Sequence, residues 1–160
     1  MYKRQVIPAA ASDTERSRVK VVGSLWASLA IAAIIAVGLA VFARPLLGHV
    51  YGDAFRDAAE PLLLLLPGAV LFAGSAILGA GVYAAGRPFT ATFAQLVGMV
   101  VTIVGLVAFL SSGGITAAAL VSTASYTSVF LAMLVAYQRV TDTPWRAFLP
   151  SPRRVRELAG

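Results

Sequence analysis

The chain of 160 residues has no cysteine and a single histidine, His49. The first absence removes disulfides, thiolate metal sites and thiol nucleophiles. The second removes any histidine cluster that could hold a metal, so no metal or cofactor is expected. Charge is also scarce, at 12% of residues. No motif pairs a nucleophile with its base, sets two carboxylates for acid–base work, or forms a phosphate-cradling P-loop. With no ionisable residue inside its apolar runs, the chain is not expected to be an enzyme, and a proton-driven site centred on it is hard to build.

What the sequence has in abundance is apolar residues. They make up 59% of the chain, and mean hydropathy is +0.83, well beyond the roughly half-apolar composition of soluble domains. Four long runs carry no charge: about 21–43, 61–85, 90–110 and 115–137. Each has roughly the 20 residues that span about 30 Å of hydrocarbon at 1.5 Å per residue. The expectation is an all-α integral membrane chain of four transmembrane helices.

The links between runs sharpen this. Ser12-Asp13-Thr14-Glu15 reads as a capping box, with Ser12 as N-cap and a helix beginning near Asp13. Val6–Lys20 is then the end of a preceding helix and a cytoplasmic link. Gly86-Arg87-Pro88 is a tight turn in which the glycine ends one helix and the proline starts the next. Ser111-Ser112-Gly113-Gly114 is a second short turn. Links this short make successive helices antiparallel neighbours.

The net charge of +6 is distributed in a way that does not suit nucleic acid. Arg16, Arg18, Lys20, Arg87, Arg139, Arg153 and Arg154 fall on one side of a four-span topology. Arg44 and Arg56 fall on the other, accompanied by Asp53, Asp57 and Glu60. The positive-inside rule assigns the first group, with the C-terminus, to the cytoplasm. The segment 138–160 contains Pro144, Pro150 and Pro152. It reads as a basic cytoplasmic tail that fixes topology, with Trp145 and Phe148 at the lipid interface. Met1–Gln5 is not followed by a signal-type apolar region. These five residues are expected to be non-native, on a coding sequence truncated upstream.

Order and spacing of several stretches carry a resemblance. Arg44-Pro45-Leu46-Leu47-Gly48-His49-Val50-Tyr51-Gly52 closes a span in a proline and an apolar pair, followed by an aromatic–glycine turn. Phe55 and Ala58 then follow three residues apart. Leu62 to Leu66 closes in Pro67-Gly68, Ala85-Gly86-Arg87-Pro88 makes a short turn, and Gly113-Gly114 precedes a run of small residues. Together with Ile7-Pro8 through Ser12, these resemble the polysaccharide and oligosaccharide flippases of the multidrug/oligosaccharidyl-lipid/polysaccharide exporter superfamily.

The resemblance implies the C-terminal part of a larger transporter in a bacterial cytoplasmic membrane, with the four spans belonging to one of two lobes. Its cargo would be a lipid-linked oligosaccharide moved by alternating access. The partners implied are membrane lipid, that substrate and the missing N-terminal helices. The family's cationic cavity residues have no counterpart in this chain. A small four-helix accessory protein, or a permease fragment of another class, remains an alternative.

Some residues are candidates for transport itself. Gln95, Gly98, Thr102 and Gly105 recur at helical steps on one face, and Gln95 can bond a sugar hydroxyl or phosphate oxygen. Gln95, Thr102 and Tyr126 are thus candidates for a substrate path, or alternatively contacts between helices. Pro67 and Gly68 are hinge candidates, since a proline removes a backbone hydrogen bond and kinks its helix.

Overall fold

The computed structural model describes residues 3–149, with side chains placed from Glu15 onward except Asp53. Three long helices follow one another: α1, Lys3–Tyr51, α2, Ala59–Ala84, and α3, Pro88–Thr141. Short 3₁₀ segments at Asp53–Ala58 and Trp145–Phe148 complete the described residues. All three long helices are long and apolar enough to cross a membrane. The chain is therefore a helical membrane protein.

Two expectations need correction. The first concerns the start of α1, which begins at Lys3 and runs without a break past Ser12–Glu15. Ser12 is consequently not an N-cap, because the chain before it is already helical. The same helix continues through Arg44-Pro45 to Tyr51. Proline lacks only its own N–H, so a helix held by its neighbours can pass through it.

The second correction is to the number of helices, three rather than four. The third and fourth apolar runs lie in one element of 54 residues, with only Gly114 outside helical φ/ψ (φ 53, ψ −137). That conformation suits glycine alone, because a Cβ would clash there. A straight helix of this length would span about 81 Å. Instead Thr102 and Ser125 bond each other at 2.8 Å across 23 residues, so α3 folds back on itself at Gly114. The expected four-residue turn has contracted to one non-helical residue.

The α2–α3 link matches its expectation. Gly86 adopts φ 73, the Arg87 N–H donates to the Val82 carbonyl at 3.2 Å, and the Gly86 N–H donates to that of Tyr83 at 2.9 Å. These two bonds are the Schellman pattern, and Pro88 opens the next helix.

Small residues set the packing. The antiparallel α1–α2 pair brings Leu25 and Leu29 onto Gly74, and Val21 beside Gly81. The C-terminal limb of α3 runs parallel to α2, with Thr123 over Gly68, Phe130 over Gly74 and Tyr137 over Gly81. The two limbs of α3 meet where Gly98 faces Ser125 and Val129, and Gly105 faces Val121. Lipid provides no hydrophobic drive between helices, so close approach at glycine supplies the contact instead. The buried core is Leu25, Leu78, Val82, Ala91, Ala94, Met133, Ala136 and Tyr137. It lies toward the end where α1 enters and α3 leaves. Farther along, Ile34, Val37 and Val41 of α1 and Ile103, Val104 and Val107 of α3 are exposed.

Candidate functional site

The long helices bring the predicted cations to one end. Arg18 and Val21 of α1, Gly81 and Ala84 at the end of α2, and Tyr137, Val140 and Thr141 at the end of α3, with Asp142 just beyond, line one cleft of about 440 Å³. Arg16 and Lys20 are exposed on the same stretch of α1, and Arg87 is exposed in the adjoining turn. Arg44 and the 3₁₀ segment bearing Arg56 are at the other end, where the Arg56 side chain lies over Gly48. Arg153 and Arg154 lie outside the described residues.

The tail returns to the charged end rather than leaving it. Helix α3 stops at Thr141, because Asp142 takes a left-handed conformation (φ 51) and Pro144 follows. Thr141 Oγ1 donates to the Tyr137 carbonyl at 2.7 Å and pairs with Thr143 Oγ1 at 2.7 Å. The Trp26 indole N–H then donates to the Phe148 carbonyl at 3.1 Å, and Phe148 meets the Tyr137 ring edge to face at 6.1 Å. Phe148 is half-buried on the bundle, and Trp145 is exposed beside it. Aromatic rings with one polar handle suit the membrane–water boundary.

The substrate-path candidates do not converge. Thr102 is half-buried, donating to the Gly98 carbonyl at 3.0 Å and bonding Ser125 Oγ at 2.8 Å. Ser125 Oγ in turn donates to the Gly98 carbonyl at 2.8 Å. This cluster joins the two limbs of α3. Tyr126 is half-buried against Phe72, with ring centroids 4.9 Å apart. Gln95 is exposed two turns before Thr102 and makes no hydrogen bond among the described residues. Of the three, Gln95 alone is exposed; neither its amide nor the Tyr126 hydroxyl makes a hydrogen bond among the described residues.

The hinge candidates sit at a tight contact. Pro67 is exposed within α2, and Gly68 is buried. A Cβ on Gly68 would lie 2.7 Å from Thr123 Cα. Thr123 Oγ1 donates to the Leu64 carbonyl at 2.6 Å, next to the Leu63 carbonyl that Pro67 deprives of its donor. A hydroxyl from α3 thus shores up the turn that proline weakens.

Sequence reasoning missed Thr123 and Ser125 as a matched pair of inter-helix bonds. The signal was present in the Ser/Thr-rich run Ser122 to Ser128, which faces glycines at 68 and 98. It also missed that Arg18 differs from its neighbours. Arg18 is half-buried, and its Nε is buried without a hydrogen-bond partner. No group of three or more potential metal ligands occurs among the described residues. Compared with family models, curated proteins and solved structures, the chain gives no match.

Proposed function

We propose that this chain is the C-terminal membrane portion of a lipid-linked oligosaccharide flippase, with its charged end in the cytoplasm of a bacterial cell. In this reading the two limbs of α3 each cross the bilayer, so the chain crosses four times and acts without a catalytic step. The observation that carries the reading is the surface left over after packing. Exposed apolar residues continue along α1 from Ile31 to Phe42 and along α3 from Ile103 to Ile115. Only part of that surface is needed to face lipid, and a two-lobed transporter would cover the rest with its other helices. The ordered resemblance of Tyr51-Gly52, Pro67-Gly68 and Gly86-Arg87-Pro88 supports the choice of family.

An accessory four-span protein is favoured by one observation, the use of Thr102 and Ser125 as inter-limb bonds rather than cavity lining. A long genomic read upstream of Val6 separates the two. About eight further in-frame spans bearing cationic residues are expected for the transporter, bringing the total with these four to about twelve in two lobes. A native start at Met1 would instead transfer the case to the accessory protein. The direct functional test is rescue of a bacterial strain lacking its lipid-linked sugar flippase by the complete gene. Failure of a well-expressed protein to rescue, together with no flipping of a fluorescent lipid-linked sugar in vesicles, would overturn the proposal.

A further inference from the structure

Arg18 is the cation whose surroundings differ most from a solvated helix end. It stands between two clefts. One, of about 440 Å³, has Val21, Gly81 and Tyr137 as apolar walls and Ser17, Thr141 and Asp142 as its polar rim. The other, of about 350 Å³, is lined by Glu15, Val22 and Thr143. The Nε of Arg18 is buried and bonded to nothing. The Nε itself is occluded, and the outer guanidinium nitrogens, which also make no hydrogen bond, are the ones whose planar fork can meet the oxygens of a phosphate.

Depth selects the source of that phosphate. Arg18 lies three residues, about 4.5 Å, before Val21, where the uncharged run of α1 begins. That depth is headgroup level, and the lining is part apolar, from Val21, Ala84 and Val140, and part polar, from Ser17, Thr141 and Asp142. The surrounding charge suits an anion. Arg16, Lys20, Arg87, Arg139 and Arg146 accompany Arg18 near this end, against the carboxylates of Glu15 and Asp142 that share its clefts. Asp142 on the rim opposes an anion at close range, so the phosphate belongs on the Arg18 side of the cleft.

We propose that this cleft holds the phosphate of an anionic membrane phospholipid, bound through the Arg18 guanidinium with its acyl chains lying along Val21, Ala84 and Val140. Such a lipid fixes the end of α1 against α2 and α3, and is compatible with either function considered above.

The test uses the full chain in bilayers of phosphatidylcholine, with fluorescence of Trp26 read in a Trp145→Phe background. Trp26 lies two turns from Arg18, about 12 Å along the helix. Brominated phosphatidylglycerol is expected to quench it with about fivefold preference over brominated phosphatidylcholine, as about 1 kcal/mol per basic residue near the surface implies. Arg18→Gln should abolish the preference, while Arg146→Gln on the exposed 3₁₀ segment should retain most of it. Ala84→Phe, which fills the cleft without altering charge, should also abolish it and decides the matter where Arg18→Gln does not fold.

Absence of any preference, or equal loss in Arg18→Gln and Arg146→Gln, would overturn the site in favour of diffuse surface attraction. So would retention in Ala84→Phe. Millimolar inorganic phosphate added at constant ionic strength forms the last arm. Displacement of the lipid preference by it, but not by chloride, would overturn the lipid as occupant in favour of a soluble phosphate.

Discussion

Replacing Gly68 with alanine tests the idea that glycine contacts hold these helices together. The added Cβ would lie 2.7 Å from Thr123 Cα, 3.1 Å from Thr123 Oγ1 and 3.2 Å from Thr123 Cβ. Carbon atoms pack at about 3.5–4.0 Å, so relief requires a shift of roughly 1 Å. The nearest atom is backbone and cannot rotate away, so α2 and the C-terminal limb of α3 must separate. Separation also stretches the 2.6 Å bond from Thr123 Oγ1 to the Leu64 carbonyl. Overpacking costs about 1–3 kcal/mol, and an inter-helix hydrogen bond in a membrane protein contributes about 0.6 and at most about 1.7 kcal/mol. Against a helix-propensity gain of about 0.5–1 kcal/mol, the expected loss for Gly68→Ala is about 1–4 kcal/mol.

Equilibrium unfolding in mixed micelles, titrated with a denaturing detergent and followed by far-UV circular dichroism, measures it. Gly79→Ala is the matched control in the same helix. Its nearest neighbour would be Met133 Cε at 3.5 Å, an ordinary contact with a flexible side chain, and alanine is the better helix former by about 0.5–1 kcal/mol. Gly79→Ala should be neutral or stabilising. Thr123→Ala should cost about 0.6–1.7 kcal/mol, and the double variant little more than Gly68→Ala alone, because both changes remove one bond. A Gly68→Ala protein within about 0.5 kcal/mol of the parent, the range of an inconsequential surface change, would refute the reasoning.

Other consequences follow from the same geometry. Gly114→Ala forces an L-residue into φ 53, ψ −137 and should destabilise by about 1–3 kcal/mol. Gly38→Ala, with nothing within 4 Å of its Cβ, should not, and detergent unfolding midpoints compare the two. Ser125→Ala removes the bond to the Gly98 carbonyl and the acceptor for Thr102. It should cost about 0.6–1.7 kcal/mol in the same titration. Trp26→Phe deletes the donor to the Phe148 carbonyl and should speed proteolysis after Arg146 with little change in global unfolding. Because the chain lacks cysteine, single cysteines at Ser17 and Ser111 report orientation directly. An impermeant maleimide added to intact cells should label only the second, and the reverse result would invert the proposed topology.

Much of this fold was legible in the sequence because lipid punishes charge so steeply. Uncharged runs marked where α2 would lie to within two residues, and Gly86-Arg87-Pro88 marked a turn whose Schellman bonds are present. Helix ends without that chemistry were misread. Ser12 had the pattern of a cap, but nothing in a local pattern says whether the preceding residues are already helical. Pro45 had the pattern of a stop, yet a proline ends a helix only when its neighbours give the chain somewhere better to go. The contraction of Ser111–Gly114 to one non-helical residue was equally hidden, since both glycines offered the needed freedom and only the packing of the limbs chose Gly114.

The candidate site shows the deeper limit. Gln95, Thr102 and Tyr126 shared residue chemistry, but the fold assigned them three different environments: exposed, bonded between limbs, and packed on Phe72. Periodicity placed Thr102 on a face with Gly98 and Gly105 correctly, and that very placement explains its fate. In a bilayer the glycine face is the one another helix approaches, so a hydroxyl on it meets Ser125 before it can meet a substrate. Gln95 departs from this because no second limb passes over it. Arg18 shows the converse: one of several basic residues by sequence, it is singled out only when α2 and α3 enclose it and leave its Nε without a partner. In a chain so poor in charge, polar chemistry is decided by which groups the small-residue contacts have already satisfied. The groups they leave unsatisfied, the exposed amide of Gln95 and the half-buried guanidinium of Arg18, are where ligands should be sought.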